Sequence, residues 1–222
     1  TETICEGGLG FSDITPLNGT DGVVPTGTTY SWEIASTSSN DITGGSSGSG
    51  TTIPGSVLQN ASNSPQDLIY TVTPTSADDC EGEDFTVTIT VNPTPEMDDP
   101  DDLEVCNGLD QPIVINFTPS NSGGVTSYFW ENTGGVDVGL GATIGTIDDS
   151  DSDISFTPSN TGSEPISTEI TVTPTFTNDE VICTTTTSQT FTITVNPEPQ
   201  INNFTETICE GGLGFSDITP LN

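Results

Sequence analysis

The chain contains no lysine, no arginine and no histidine, against 33 aspartates and glutamates, and its formal net charge is −33. No two of its side chains can form a salt bridge. Nucleic-acid binding rests on Lys and Arg that neutralise phosphates, so nucleic acid is excluded as a partner. An anionic membrane surface is excluded on the same ground. Without histidine there is no imidazole base, no Ser–His or Cys–His pair and no histidine metal ligand. Paired carboxylates can cleave glycosides, but nothing in the sequence marks two of them as sharing a cleft, so no catalytic residue is expected. No apolar run reaches the roughly 18 to 20 residues of a membrane span, and no basic stretch leads a signal segment. Membrane insertion is not expected within these residues. Nor is disorder: charged residues make up only 15% of the chain, and the apolar ones alternate in regular runs.

What is present is repetition. Residues 1–18, TETICEGGLGFSDITPLN, recur without change as residues 205–222, and Cys209 follows Cys5 by 204 residues. The expectation is an array with a period of 204, of which one full period and the start of the next are seen. Each period holds a second, diverged repeat. TTYSWEI (28–34) returns as TSYFWEN (126–132), IYTVTPT (69–75) as ITVTPTF (170–176), and FTVTITVNPTP (85–95) as QTFTITVNPEP (189–199). This divides the chain into module 1 (residues 1–95), an acidic linker (96–104), module 2 (105–199) and a segment (200–222) that opens the next repeat.

Threonine alternates with Val, Ile or Phe along 85–91 and 190–195, the period of a strand with one buried face. Clusters of Gly, Ser, Asn and Pro punctuate such runs, and no stretch has a helical period. About seven short strands with a Trp on the third read as an immunoglobulin-like sandwich. The fold class expected is all-β, with two tandem sandwiches per 204-residue repeat. Trp32, Trp130, Tyr30 and Tyr128 read as core residues rather than a sugar-stacking strip. Each period carries four cysteines, an even count that favours an oxidising, extracellular setting. Cys5 and Cys80 are 75 residues apart, Cys106 and Cys183 are 77 apart. Placing the start of each module and its penultimate loop at one pole predicts bridges Cys5–Cys80 and Cys106–Cys183. Cys209 then pairs in the following repeat. A Cys80–Cys106 bridge across the linker is the alternative.

Carboxylates gather at three places. Glu96, Asp98, Asp99, Asp101, Asp102 and Glu104 crowd the linker, with Asp179 in a loop expected at the same pole. Calcium takes six to eight oxygen ligands of this kind, and calcium here would lock the two modules in line. DDSDSD offers Asp148, Asp149, Asp151 and Asp153 as an irregular calcium loop. It is not an EF-hand, because Ile154 stands where that loop needs glycine. DDCEGED (78–84) is a weaker third cluster, read as a solvated hairpin. Sequons occur at Asn18, Asn60, Asn116 and Asn203.

The segment STEITVTPTFTNDEVICTTTTSQTFTITVNPEPQ (167–200), with SYFWENTGG (127–135) and VCNGLDQPIVINFTPSN (105–121) before it, resembles the PKD-like, Ig-like repeats of very large bacterial surface proteins. These are similar to the giant adhesins that gliding bacteria export by the type IX route. The resemblance implies an extracellular stalk, adhesin or fibre on a bacterial surface or secreted from it. The function expected is thus a structural repeat of an extracellular filament whose partner is itself, end to end. Its second form is an adhesin repeat that binds a surface glycan. The absence of Lys and Arg also leaves trypsin no cleavage site.

Overall fold

The threonine-alternating stretches are the closing strands of two successive β-sandwiches. The computed structural model describes residues 1–38, 40–108, 111–148 and 153–201, and no helix occurs among them. Module 1 contains β1 (Glu2–Cys5), β2 (Thr29–Thr37), β3 (Ile42–Thr43), β4 (Gly48–Gly50), β5 (Gln59–Asn60), β6 (Gln66–Thr75) and β7 (Phe85–Asn92). Module 2 contains β8 (Leu103–Cys106), β9 (Ile113–Asn116), β10 (Val125–Asn132), β11 (Ile144–Ile147), β12 (Asp153–Phe156), β13 (Ile166–Asn178), β14 (Val181–Thr184) and β15 (Gln189–Asn196).

One sheet of module 1 runs β1-β7-β6-β2-β4, and β3 pairs with β5 in the opposite layer, beside an Ile14–Ile53 bridge. Module 2 repeats the plan. Its main sheet runs β11-β10-β13-β15-β8, β14 folds back on β13, and β9 pairs with β12. The registers coincide. Trp32 stands opposite Val72 and Gly48, and Trp130 opposite Val172 and Gly145; Tyr30 faces Pro74 and Tyr128 faces Pro174.

Alternation fills the cores. Val87, Ile89 and Val91 of β7 point inward between half-exposed threonines, as do Phe191, Ile193 and Val195 of β15. Each such side chain contributes about 1.5–3 kcal/mol when fully buried. The buried residues form two separate clusters, one per module, with Trp32 in the first and Trp130 in the second. Both Tyr–Trp pairs are thus core. Asn60 and Asn160 are buried at equivalent corners. The Asn60 side-chain nitrogen donates to the carbonyls of Ser64 and Val91, both at 2.8 Å, and that of Asn160 to Glu164 and Val195 at 2.9 and 2.8 Å. The Asn60 sequon is therefore a structural corner with its amide engaged.

The expected bridges Cys5–Cys80 and Cys106–Cys183 do not form; Cys5 is joined to Cys183, and Cys80 and Cys106 carry free thiols. The reason is strand direction. β1 runs parallel to β7, with Cys5 opposite Asn92 at the far end of β7. Cys80 sits in the loop that precedes β7. Eight residues of strand at about 3.3 Å each keep the two cysteines on opposite poles of the module. β8 and β15 repeat this arrangement, with Cys106 opposite Asn196. The alternative Cys80–Cys106 bridge fails for the same reason, since those residues lie at the two outer ends of the pair.

Candidate functional site: the junction between modules

The disulfide marks the most heavily built surface outside the cores. β13 and β14 are joined by Asp179 and Glu180, whose φ angles are 49° and 65°. Positive φ at both central residues is a type I′ hairpin turn, whose twist matches the strands it joins. This tight hairpin projects from the near pole of module 2 and presents Cys183 to the far pole of module 1. Cys5 and Cys183 have their Cα atoms 5.5 Å apart, an ordinary separation for a bridged pair. Cys183 is buried at 2% exposure.

Neutral donors surround the bridge. The Asn178 side-chain amide donates to Asn92 Oδ1 at 3.0 Å, and Thr3 Oγ1 donates to Asp179 Oδ2 at 3.3 Å. Asn63 Nδ2 donates to the Ser120 carbonyl and the Ser122 amide donates to the Asn63 carbonyl, each at 2.9 Å. The linker is fastened on both sides. Thr94 Oγ1 donates to Glu6 Oε2 at 2.8 Å, the Glu96 amide to Asn121 Oδ1 at 2.6 Å, and Asn121 Nδ2 to the Thr94 carbonyl at 3.0 Å. Met97, 7% exposed, bridges to Pro119 and packs into the second core.

The linker carboxylates do not converge. Asp98 accepts from Ser120 Oγ at 3.1 Å, Asp102 from the Thr192 amide at 2.7 Å, and Glu104, which lies in β8, from Asn196 Nδ2 at 2.8 Å. Asp99 and Asp101 are exposed, and Asp179 is turned to Thr3. Among the described residues no three Asp, Glu or Cys are placed to hold a metal ion. Of the expected calcium set of Glu96, Asp98, Asp99, Asp101, Asp102, Glu104 and Asp179, four members (Asp98, Asp102, Glu104 and Asp179) each accept from a separate protein donor. Of the second set, Asp148 is exposed and Asp153 lies in β12, while Asp149 and Asp151, like Cys209, fall outside the described residues.

Sequence reasoning missed the residues that build this junction: Thr3, Glu6, Asn63, Asn92, Asn121 and Asn178. One signal was available. Val-Asn-Pro closes both modules at Asn92 and Asn196. A polar amide at the end of an otherwise apolar-alternating strand marks a residue with a polar partner at the pole: Asn178 of the next module for Asn92, and Glu104 of its own module for Asn196.

Residues 2–95 match the family model of the PKD-like domain. No curated protein matches the chain. Among solved structures it is similar to the fibronectin(III)-like modules of Clostridium thermocellum CbhA, at 15% identity over 91% of this chain and 95% of that one, with a TM-score of 0.33. It is similar to Drosophila N-cadherin EC1-4 at 14% identity over 89% of this chain and 47% of that one, with a TM-score of 0.38. Chicken VE-cadherin EC1-2 is similar at 12% identity over 89% and 97%, with a TM-score of 0.35. The repeat is immunoglobulin-like and PKD-like, built as β-sandwiches.

Proposed function

We propose that the chain is a load-bearing structural repeat of an extracellular filament or surface stalk, made of sandwiches stacked pole to pole. The observation that carries this reading is the disulfide placed between modules rather than within one. A bridge inside a sandwich reinforces one domain. A bridge between sandwiches fixes their relative position and carries force past their cores. Disulfides persist in oxidising compartments, which agrees with an extracellular setting.

The mechanical consequence follows from connectivity. Tension applied to the two ends passes from Cys5 through the bridge to Cys183, and the 178-residue loop between them bears none of it. In an array of period 204, that leaves 26 residues per repeat, the difference of the two figures, on the covalent load path. This reading rests on the bridge and does not require calcium; of the linker carboxylates, Asp98, Asp102 and Glu104 accept from protein donors.

Force spectroscopy on the oxidised chain, held at its ends, tests the reading. Reduction should release the loop and add roughly 600 Å of contour length at about 3.4 Å per residue. An oxidised chain that unravels to the same length as the reduced one would overturn it.

A further inference from the structure

The bridge uses one cysteine from each module and leaves one behind in each. Those left are not miscellaneous thiols; they are the structural equivalents of the two that bond. Cys106 ends β8 opposite Asn196, with the next amide, Asn107, donating to the Asn196 carbonyl at 2.8 Å. Cys5 ends β1 opposite Asn92, with the Glu6 amide donating to the Asn92 carbonyl at 2.9 Å. At the other pole, Cys183 stands opposite Phe176, two residues past Pro174. The Cys80 carbonyl accepts from the Ser76 amide at 2.9 Å, two residues past Pro74. Both free thiols are exposed.

We infer that Cys106 of one copy of the repeat is disulfide-bonded to Cys80 of the next, so that every junction of the array carries the bridge seen between Cys5 and Cys183. This rests on the array reading above and names its partner: a second copy of the same sequence, following where residues 205–222 repeat residues 1–18. Pairing within one copy is ruled out by distance. Cys80 and Cys106 lie at opposite ends of two stacked modules, whose eight-residue closing strands alone span roughly 50 Å. The pole that holds Cys80 is also open. A cleft of about 1050 Å³, lined by Tyr30, Phe85, Val87 and Cys80 among others, lies beside the chain's first residue. At the equivalent pole of module 2 the linker residue Met97 packs into the core. The cleft is where the linker of a preceding copy seats.

The bond forms by two exchanges. The Cys106 thiolate attacks a low-molecular-weight disulfide such as glutathione disulfide and expels one glutathione thiolate. The Cys80 thiolate then attacks the Cys106 sulfur and expels the second. The two cysteines lose two protons and two electrons, and the glutathione disulfide is reduced. The resulting loops overlap, because residues 106–183 lie within both.

The test is the full chain extended by one further copy, joined where Thr205 repeats Thr1, and oxidised in a glutathione buffer. After alkylation without reduction and cleavage by a glutamyl endopeptidase, peptide masses should show a Cys106–Cys80 linkage; because the copies are identical in mass, Cys80→Ser in the second copy should abolish it and Cys80→Ser in the first should not. Cys80→Ser in the second copy should leave Cys106 of the first alkylated while Cys5–Cys183 persists. Both thiols alkylated in the unsubstituted protein, or Cys80 joined to Cys106 of its own copy, would overturn the inference. Small-angle scattering on the same sample separates it from the array reading. Four modules in line with Cys80 and Cys106 alkylated would sink the bridge alone, whereas collapsed or independently tumbling modules would sink both.

Discussion

Opening the Cys5–Cys183 bridge should be the most damaging single chemical change available to this chain. By chain entropy, cross-linking residues 178 apart destabilises the unfolded state by about 5 kcal/mol. What remains at the junction is a set of hydrogen bonds, among them Asn178 to Asn92, Thr3 to Asp179 and Thr94 to Glu6. Such bonds each contribute a net 0.5–1.5 kcal/mol or so, at the lower end where water competes. The two cores are separate clusters, so among the described residues no shared apolar core joins the modules. For a unit of 150–250 residues, 1 kcal/mol corresponds to about 2–4 °C, which places the full effect at roughly 10–20 °C. The assay is scanning calorimetry at neutral pH on the oxidised chain, the chain in dithiothreitol, and the Cys5→Ser/Cys183→Ala variant. Reduction removes no atoms from the buried Cys183 site, so it controls for the cavity left by the variant. Both perturbed samples should melt at least 8 °C or so below the oxidised chain. A shift under about 2 °C, in protein whose Cys5–Cys183 linkage has been verified by peptide mass, would refute the idea that the bridge holds the modules together.

Four further outcomes follow from other parts of the fold. Asn160→Ala strips the Glu164 and Val195 carbonyls of their donor and the Gly162 amide of its acceptor at a buried corner, and should cost about 2–4 kcal/mol by urea midpoint; a cost under 0.5 kcal/mol would deny the corner its role. Gly145→Ala brings a methyl to 2.5 Å from Trp130 Nε1 and should cost about 1–3 kcal/mol, with a shift in tryptophan emission reporting the displaced ring. The Tyr30 phenol is pushed up by burial and, secondarily, by the Asp21 carboxylate, and Tyr70 by burial against the opposing pull of the Ser46 backbone. The folded state therefore holds these protons more tightly, so stability is intact below pH 10 and falls as pH rises above it; absorbance at 295 nm and melting temperature from pH 9 to 12 should show both together. Raising NaCl from 10 to 150 mM shortens the screening length from about 30 to about 8 Å, and because the side chains supply only repulsion to screen, the melting temperature should rise; a fall would contradict that.

The strands were legible because one physical period governs them. Phe85 to Val91 alternates strictly, and in β7 its inward side, Val87, Ile89 and Val91, is buried. The Trp positions were legible for a similar reason: a large aromatic two residues from a Tyr on one strand face has a core to fill. The corner role of Asn60 was not legible, since a sequon carries no information about burial. The hydrogen-bond partners in the acidic linker were not legible, because counting carboxylates does not reveal where their donors lie. With no cation in the chain, each carboxylate held at the junction is held by a hydroxyl or an amide. Thr3, Ser120 and Thr94 each hold one of Asp179, Asp98 and Glu6 there, while along β8 the Thr192 amide and Asn196 take Asp102 and Glu104.

The cysteine pairing depended on a quantity that spacing does not contain. Separations of 75 and 77 residues match so well that they invite a bridge within each module. Which pole each cysteine occupies is decided by the direction of a four-residue strand, β1 or β8, and both run parallel to the closing strand. Parallel pairing carries the first cysteine away from the loop that holds the second. A module with both cysteines at one pole could only staple itself. A module with one at each pole cannot close on itself, and it can be joined to the next at either end. Two modules of this second kind, sharing one sheet order and one register, bond once where they meet and keep one thiol at each outer pole.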